Sequence, residues 1–257
     1  MNISVRNLSF GYSEKPLFRD FSADFHGGKL PLVILGPSGS GKTTLLKLLG
    51  GLLKPDAGTI TFFGDAGRPD QNTGGQSADK PAFMFQESRL LPWLTVLENV
   101  SIPLRKKFGT EGARARARHF LSLVSLCEKE SSYPKELSGG QAQRVSMARA
   151  FAWPAPALFM DEPFQSLDIP LRINLMDKCL SLLEKEKAAS ISRLLIAVTH
   201  DPREAVYMGG RIIVLGKPGE GIVFDRSVDH GSGDRAYGSA AGVELEREII
   251  NYLGNRE

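Results

Sequence analysis

The chain has 257 residues, of which 42% are apolar and 24% are charged. This composition is ordinary for a globular protein and argues against the disordered and collagen-like classes. The length suits one large domain, or one domain with a smaller lobe. A net charge of +3 is too small to indicate a nucleic acid or an anionic membrane as the partner.

The first residues, the apolar runs and the cysteines of the chain indicate in which compartment it is expected to lie. The first six residues lack the basic and apolar regions of a secretory signal, so we expect none. No run approaches the roughly 20 apolar residues that cross a bilayer, so other subunits would have to cross it. Cys127 and Cys179 are expected to be reduced thiols in the core.

Along the chain, short apolar runs alternate with helical patterns, which favours an α/β fold. The predicted strands are residues 3–10, 17–25, 30–35, 82–86, 157–160, 194–198, 212–215 and 222–224. The predicted helices are residues 42–53, 95–107, 111–127, a segment from Ser138 through Arg149, and 243–253. Residues 11–16 are predicted to form a turn, and 64–80 and 226–242 to form loops.

A glycine-rich segment follows the third predicted strand and matches G-x-x-x-x-G-K-[ST] at every fixed position. Its residues are Gly36, Pro37, Ser38, Gly39, Ser40, Gly41, Lys42 and Thr43. Glycines let the backbone curl so that successive N–H groups face a phosphate, and the next helix directs its positive end there. Lys42 would contact the β- and γ-phosphates, and the Thr43 hydroxyl would bind Mg²⁺. The motif predicts nucleotide binding but does not distinguish kinases, GTPases, motors and transporters.

Two acids, Asp161 and Glu162, end the predicted strand at residues 157–160. Ligands of open parallel sheets lie beyond the carboxyl ends of the strands. Asp161 is therefore a candidate to hold Mg²⁺, and Glu162 a candidate to orient or deprotonate a water. By itself the pair could equally be a polar exit into a turn; the phosphate-loop motif favours the functional interpretation.

A second potential anion site lies where a helix is predicted to begin. Leu137 is followed by Ser138, Gly139, Gly140 and Gln141. Ser138 is a favourable N-cap, and the two glycines leave backbone N–H groups accessible. Two anion sites and one phosphate loop suggest that two copies close over two nucleotides, although an ordinary capped helix would have the same residues.

This last segment, followed by Gln143 and Arg144, resembles the signature of the ABC ATPase family. Other segments resemble further motifs of that family, in the same order. These are Tyr12 of the A-loop, Gln86 of the Q-loop, Ser166, Leu167 and Asp168 of the D-loop, and His200 of the H-loop. Individually, Tyr12 could be a turn aromatic, Gln86 a strand-end amide and His200 a polar strand cap. The resemblance extends to about Leu215.

The resemblance implies a P-loop NTPase core with a mostly parallel sheet, an N-terminal antiparallel β subdomain and an inserted α-helical signature subdomain. The expected domains are residues 1–225 (helical subdomain about 87–155) and a C-terminal loop and helix at 226–257. Residues 36–43 and Thr44 would bind the phosphates of ATP, and Tyr12 its adenine. The implied Mg²⁺ site comprises Thr43, Gln86 and Asp161.

The resemblance also implies the catalytic roles. Glu162 would activate water, with help from His200, Lys42 and Gln86. Signature residues 138–141 and Asp168 would complete the nucleotide site of the opposite subunit. The expected partners are a second ATPase subunit, in a homodimer, transmembrane permease subunits and, indirectly, a solute-binding protein, with no nucleic acid. The expected location is peripheral, on the cytoplasmic face of the cell membrane.

The segment from Gln86 through Leu90, Leu91, Pro92 and Trp93 resembles the nitrate, sulfonate and taurine branch of importer ATPases. In the ABC family, this helical region receives a coupling helix from the membrane subunit. A core position for Trp93 is the alternative on composition alone. Gln165 departs from the branch, in which a small residue is commoner, and this weakens the assignment of a substrate.

Other classes of phosphate-loop protein fit less well. The resemblance favours the ATP-binding and ATP-hydrolysing subunit of an ABC transporter. The main alternative to it is a soluble ABC ATPase that acts on nucleic acid or the ribosome. A repair or chromosome protein should carry a long coiled coil before the signature, and a ribosomal one would usually hold two ATPase halves. A kinase would have no use for the signature, and a binding module without catalysis would be expected to lack Glu162 or His200.

Overall fold

A computed structural model of the chain describes residues 1–12, 15–28, 30–63, 81–165, 167–188, 193–228 and 239–254. The predicted loop at 64–80, Ser166 and most of the predicted loop at 226–242 lie outside these residues. None of the helices in the described ranges combines the length and apolar character that a membrane span requires.

The strands are short apolar or alternating segments. They are β1 (Asn2–Tyr12), β2 (Lys15–His26), β3 (Leu32–Leu35), β4 (Ala57–Phe63), β5 (Ala82–Met84), β6 (Ala157–Asp161), β7 (Leu194–Val198), β8 (Arg211–Leu215) and β9 (Ile222–Ser227). The helices are α1 (Lys42–Leu49), α2 (Val96–Ser101), α3 (Arg105–Leu123), α4 (Gly139–Ala152), α5 (Ile169–Ala188), α6 (Pro202–Met208) and α7 (Ala240–Gly254). Within the described ranges, single 3₁₀ turns lie at Ile102–Leu104, Cys127–Lys129 and Pro134–Glu136.

The larger sheet has six strands in the order β5-β6-β7-β3-β8-β9. The first five are parallel, and β9 is antiparallel to β8. Because β3, β7 and β6 are neighbours, the loops that follow these three strands meet at one edge of the sheet. This edge is where ligands of open parallel sheets bind.

The smaller sheet is antiparallel, with β1 between β2 and β4. Its apolar face packs on the six-stranded sheet together with α1, around Val5, Phe25 and Phe159. The opposite face of the six-stranded sheet packs against the remaining helices. Strand β6 shows the arrangement, since Phe159 enters the first core whereas Leu158 and Met160 enter the second. Alternation along a strand sends successive side chains to opposite faces.

The structure corrects several local expectations. Helix α1 ends at Leu49, because Gly50 and the left-handed Gly51 (φ +67°) terminate it four residues before the predicted end. Strand β4 and helices α5 and α6 were not predicted. The predicted break between the helices at 95–107 and 111–127 lies at Gly109, whose φ of +69° interrupts α3.

The two cysteines differ in environment. Cys179 is buried, and burial raises the pKa of its thiol to about 12. Cys127 is exposed, so the prediction that it lies in the core is wrong. The 3₁₀ turn that begins at Cys127 has no buried residue, which explains the exposure. Both thiols are free.

Candidate nucleotide-binding and hydrolysis site

The glycine-rich loop joins β3 to α1 and depends on its glycines. Gly39 and Gly41 have φ values of +81° and +95°, in the left-handed region that side chains disfavour. A Cβ at Gly36 would lie 2.6 Å from the Ser40 hydroxyl oxygen. The loop therefore needs glycine for backbone conformation at two positions and for close approach at a third.

Lys42 begins α1 and lies almost fully within the loop. Its Nζ donates hydrogen bonds to the carbonyl oxygens of Gly36 (2.7 Å) and Pro37 (3.0 Å). Burial lowers the pKa of the Lys42 ammonium, and the nearby carboxylates of Glu162 and Asp161 oppose this effect. The loop thus encloses a cation that can exchange its carbonyl partners for the oxygens of a phosphate.

Thr43 and Asp161 connect the loop to the end of β6. The Thr43 hydroxyl donates to Asp161 Oδ1 over 2.9 Å. Asp161 is buried, and burial raises the pKa of its carboxyl, while the hydrogen bond from Thr43 opposes this effect. Thr43 and Asp161 are therefore predisposed to accept a hard cation between them, since Mg²⁺ prefers oxygen ligands.

The described residues contain no cluster of three or more His, Cys, Asp or Glu side chains that could hold a metal by themselves. Mg²⁺ fits such a sparse site, because it retains waters and is usually held by one or two carboxylates together with substrate phosphates.

Glu162 lies immediately beyond β6 in a strained backbone conformation. Its φ is +48°, which is uncommon and costly for a side chain other than glycine. Its N–H donates to the Val198 carbonyl over 2.9 Å, so β7 holds the residue in place. Such strain at the end of a strand directs the carboxylate towards the edge of the sheet and is typical of functional positions.

The Glu162 carboxylate contacts two further predicted site residues. His200 follows β7, and its Nδ1 lies 3.3 Å from Glu162 Oε2. The Gln86 amide, two residues beyond β5, donates to the same oxygen over 3.4 Å. His200 is 56% exposed, whereas the Glu162 side chain is 17% exposed. The imidazole is thus accessible to a ligand while the carboxylate is sheltered.

Gln165 is a site residue that motif reasoning did not assign. The Gln86 Nε2 donates to Gln165 Oε1 over 3.0 Å, which is shorter than its contact with Glu162. The signal for Gln165 in the sequence was only its departure from the small residue expected there. Its side chain holds the Gln86 amide beside Glu162.

Tyr12 ends β1, and its ring is 54% exposed. It packs edge-on against Phe10, with ring centroids 5.2 Å apart, and its hydroxyl lies 3.4 Å from the Thr44 hydroxyl. Thr44 belongs to the first turn of α1, so the contact brings the aromatic ring beside the phosphate loop. An exposed aromatic face at this place is suited to stacking on a base.

The signature residues begin α4, whose N-cap is Ser138. The Ser138 hydroxyl accepts from the Gln141 N–H over 3.3 Å, and the Gln141 side chain accepts from the Ser138 N–H over 2.9 Å. A Cβ at Gly139 would meet no heavy atom of the described residues within 4 Å. The fold of one chain therefore does not require glycine at 139.

Asp168 precedes α5 and accepts the Leu171 N–H over 3.0 Å. Ser166, which the D-loop resemblance includes, is outside the described residues. Thus the structure brings Lys42, Thr43, Gln86, Asp161, Glu162 and His200 together around the carboxyl ends of β3, β6 and β7. Ser138 and Asp168 form hydrogen bonds with the first turns of their own helices.

Trp93 is 69% exposed, and its neighbour Leu91 is 39% exposed. The alternative that Trp93 lies in the core is therefore excluded. The backbone here is held from beneath, because the Asn99 side chain binds both the N–H (2.8 Å) and the carbonyl (3.1 Å) of Leu91. The segment is thus tied to α2 through Leu91 and presents the large apolar ring of Trp93 to the surroundings.

Comparison with known proteins agrees with this geometry. Residues 18–165 match the model of the family described as ABC transporter. The chain is 39% identical to the aliphatic sulfonates import ATP-binding protein of Bacillus thuringiensis, over 86% of this chain and 84% of that protein. It is 37% identical to the sulfate/thiosulfate import ATP-binding protein of Pseudomonas aeruginosa, over 84% of this chain. It spans 64% of that longer relative.

Among solved structures, the chain resembles an ATP-binding cassette solved as a dimer in a post-hydrolysis state, bound to ADP and Pi. The TM-score is 0.75 at 30% sequence identity, and the match covers 89% of this chain and all of the other.

Proposed function

Because the chain belongs to the ABC transporter family, we propose that it is the ATP-binding and ATP-hydrolysing subunit of an importer. Members of the ABC ATPase family hydrolyse ATP. The observation that carries the proposal is the junction of Thr43 with Asp161, and of Glu162 with His200, beside the Lys42 loop. These contacts assemble an anion cradle, a cation site and a general base at one sheet edge.

In this proposal, Tyr12 stacks on the adenine and residues 36–44 hold the phosphates. Lys42 exchanges its carbonyl partners, Gly36 and Pro37, for phosphate oxygens. The N-terminal dipole of α1 and the bare glycine N–H groups add to the attraction. Burial lowers the pKa of Lys42, and a phosphate bound beside the ammonium would compensate for that burial.

Thr43 and Asp161 would hold Mg²⁺, assisted by Gln86. The bound ion would supply charge neutralisation at the phosphate oxygens. Glu162 orients a water and accepts its proton, because its carboxylate is sheltered and its backbone is fixed. His200 then contacts the γ-phosphate and stabilises the transition state electrostatically.

We propose that the functional unit is a homodimer in which Ser138, Gly139, Gly140 and Gln141 of one copy cover the nucleotide of the other, together with Asp168. A Cβ at Gly139 would meet none of the described residues within 4 Å, which supports a role for this glycine in a close approach from outside the chain. A related cassette was solved as a dimer bound to ADP and Pi. Nucleotide binding would then close the dimer, and hydrolysis would open it.

The proposed substrate is a small oxyanion such as sulfate or an organic sulfonate, as for the relatives whose names state these substrates. The proposed partners are transmembrane permease subunits, with a solute-binding protein acting on them, so the protein would lie on the cytoplasmic face of the membrane. The exposed ring of Trp93, on a segment whose backbone is hydrogen-bonded to Asn99, is a suitable receptor for a helix of the permease.

The isosteric variant Glu162→Gln tests the proposal. We expect ATP turnover to fall by about 100-fold or more, because the base is lost. Mg-ATP binding should remain, and light scattering after size-exclusion chromatography should detect a stable dimer. Glu111→Gln, at a side chain that is 86% exposed on α3, is the matched control and should behave as wild type. A Glu162→Gln protein that stays monomeric in saturating Mg-ATP would contradict the dimer, and near-normal turnover would contradict the role of Glu162.

A further inference from the structure

Arg172, in the first turn of α5, is not part of any motif discussed above, yet it contacts two of the segments that carry site residues. Its side chain is 17% exposed. One guanidinium nitrogen, NH1, lies 3.0 Å from Asp201 Oδ2 and 3.2 Å from Glu204 Oε1. The other, NH2, donates to the Leu167 carbonyl over 3.3 Å.

The two carboxylates belong to the segment that carries His200. Asp201 is the next residue and caps α6, where its Oδ1 accepts from the Arg203 N–H. Glu204 is buried in the first turn of α6, and its Oε2 accepts from the Thr199 hydroxyl over 2.6 Å. Because the Thr199 hydroxyl also accepts the Asp201 N–H over 3.1 Å, both neighbours of His200 belong to one hydrogen-bonded network.

The third contact reaches the segment that carries Asp168. Leu167 is directly before Asp168, and the Asp168 carbonyl accepts the backbone N–H of Arg172 over 2.9 Å. Arg172 therefore fixes this segment through its backbone and its side chain. A single planar guanidinium thus spans the segment before α5 and the segment after β7, and a lysine could not match all of its directed donors.

The Arg172 guanidinium supplies the positive charge that the Asp201 and Glu204 carboxylates require. Burial raises the pKa of the Glu204 carboxyl, whereas the Thr199 hydroxyl and the Arg172 charge favour its ionised form. Removal of the guanidinium would leave two carboxylates close together, one of them buried, without their cation. The segment around His200 would then change its conformation, because the two like charges of the Asp201 and Glu204 carboxylates repel each other more strongly where water is excluded.

We propose that Arg172 is a positioning residue for ATP hydrolysis, which holds His200 and Asp168 in a fixed relation through Asp201, Glu204 and the Leu167 carbonyl. This inference rests on the proposed function. Arg172 acts on turnover through the placement of His200, and not through contact with nucleotide. Its removal should therefore reduce the rate of hydrolysis far more than it weakens the binding of Mg-ATP.

The test compares steady-state kinetics of wild type, Arg172→Ala and Arg172→Lys. We expect Arg172→Ala to lower kcat by about tenfold or more, with KM for Mg-ATP changed by less than about twofold. Arg172→Lys should recover part of kcat because it retains the charge. Asp201→Asn, which can still cap α6, should lower kcat in the same direction and serves if Arg172→Ala does not fold.

Arg211→Ala is the matched control. Arg211 forms two hydrogen bonds to Asp225 and one to the Asp24 carbonyl, so its loss removes a similar set of contacts at the start of β8, the end of the sheet opposite the site. Its kcat should equal that of wild type even if its melting temperature falls as far as that of Arg172→Ala.

The outcomes separate the two proposals. A wild-type protein that does not hydrolyse ATP would contradict the proposed function itself. An active wild type with unchanged kcat in Arg172→Ala, or in Asp201→Asn if the former does not fold, would overturn only the positioning role. Equal losses of kcat in Arg172→Ala and Arg211→Ala would also overturn it, because they would reveal a general effect of lost stability.

Discussion

The Thr43 hydroxyl donates to the Asp161 carboxylate over 2.9 Å and joins two residues that are 118 positions apart in sequence. The contact arises because β3 and β6 are parallel and are separated by one strand, β7. Their following segments therefore reach the same edge. Lys42 directly precedes Thr43 in sequence, and Glu162 directly follows Asp161. This one hydrogen bond therefore fixes the position of the phosphate loop relative to the two carboxylates.

Thr43→Val should lower ATP turnover by at least about tenfold and raise the Mg²⁺ concentration needed for half-maximal turnover. Valine has nearly the same shape but removes the hydroxyl, which leaves the buried Asp161 without its donor, at a cost of about 1–3 kcal/mol. Thr43→Ser retains the hydroxyl and is the control. Titration of turnover with Mg²⁺ measures the effect, and an unchanged Mg²⁺ dependence would refute a metal role for Thr43.

Asp161→Asn should become increasingly stable relative to the nucleotide-free wild type as pH rises above 3.8, the ordinary pKa of an aspartate. Burial raises the pKa of Asp161, so the folded protein binds this proton more tightly than the unfolded chain does. This tighter proton binding stabilises folded wild type. The stabilisation is complete below the ordinary pKa of Asp161 and is lost as pH rises through its raised pKa. Asparagine has no such dependence and can still accept from Thr43.

Asp24→Asn provides the control of opposite sign for this pH experiment. The hydrogen bond from Arg6 holds the pKa of the Asp24 carboxyl below its usual range. Its contribution is present above the ordinary pKa and is lost as pH falls, so the variant should be the less stable one near neutral pH. Chemical denaturation of the three proteins from pH 3 to 8 checks both signs, and parallel curves for wild type and Asp161→Asn would refute the burial argument.

Tyr12→Ala should weaken ATP binding while the stability changes by about 0.5 kcal/mol or less, because the ring is largely exposed. The loss of one stacked base corresponds to about 1–3 kcal/mol, or about 5- to 150-fold in Kd. Tyr12→Trp should retain most of the affinity. Calorimetry with ATP and with tripolyphosphate, which has no base, separates the causes: equal losses for both ligands would exclude stacking as the role of Tyr12.

Gly139→Ala should leave the free energy of unfolding unchanged or raise it by up to about 1 kcal/mol, since alanine favours a helix and its Cβ has room. ATP turnover should nevertheless fall by about tenfold or more if the partner's nucleotide approaches this backbone. Gly254→Ala is the control and should retain full turnover, since a Cβ at Gly254 would also meet none of the described residues within 4 Å. Full turnover of Gly139→Ala would contradict the proposal that the partner's nucleotide closely approaches this glycine.

Local patterns predicted much of the sheet. The third predicted strand, the phosphate loop and α1 followed from an apolar run, glycines and a helical period, and their order is confirmed. The start of α4 at the Ser138 cap is also confirmed. Helix α5 was missed although the Asp168 carboxylate accepts the Leu171 N–H, and although Leu175, Cys179 and Leu183 recur at helical spacing. Strand β4 was missed although Ile60 and Phe62 alternate along it and are partly buried against the core.

Burial was less predictable than secondary structure. The sequence predicted that Cys127 lies in the core and did not decide whether Trp93 is buried or exposed. In the structure both side chains are exposed. Which face of a short turn points inward depends on the neighbouring elements, and a single sequence does not contain that information. The domain boundary at 225 stays a prediction.

The amino-acid sequence by itself determined the chemistry of the candidate site: a glycine loop with Lys42, acids at the end of an apolar strand, and a capped signature helix. These features depend on residues that are close in sequence, through backbone conformation and periodicity. Only the tertiary structure decided which groups meet, as with Gln165 against Gln86, or Arg172 against Asp201 and Glu204. The members of each pair lie in segments that follow different strands of the parallel sheet, and only the packing of that sheet and its helices brings them within hydrogen-bonding distance.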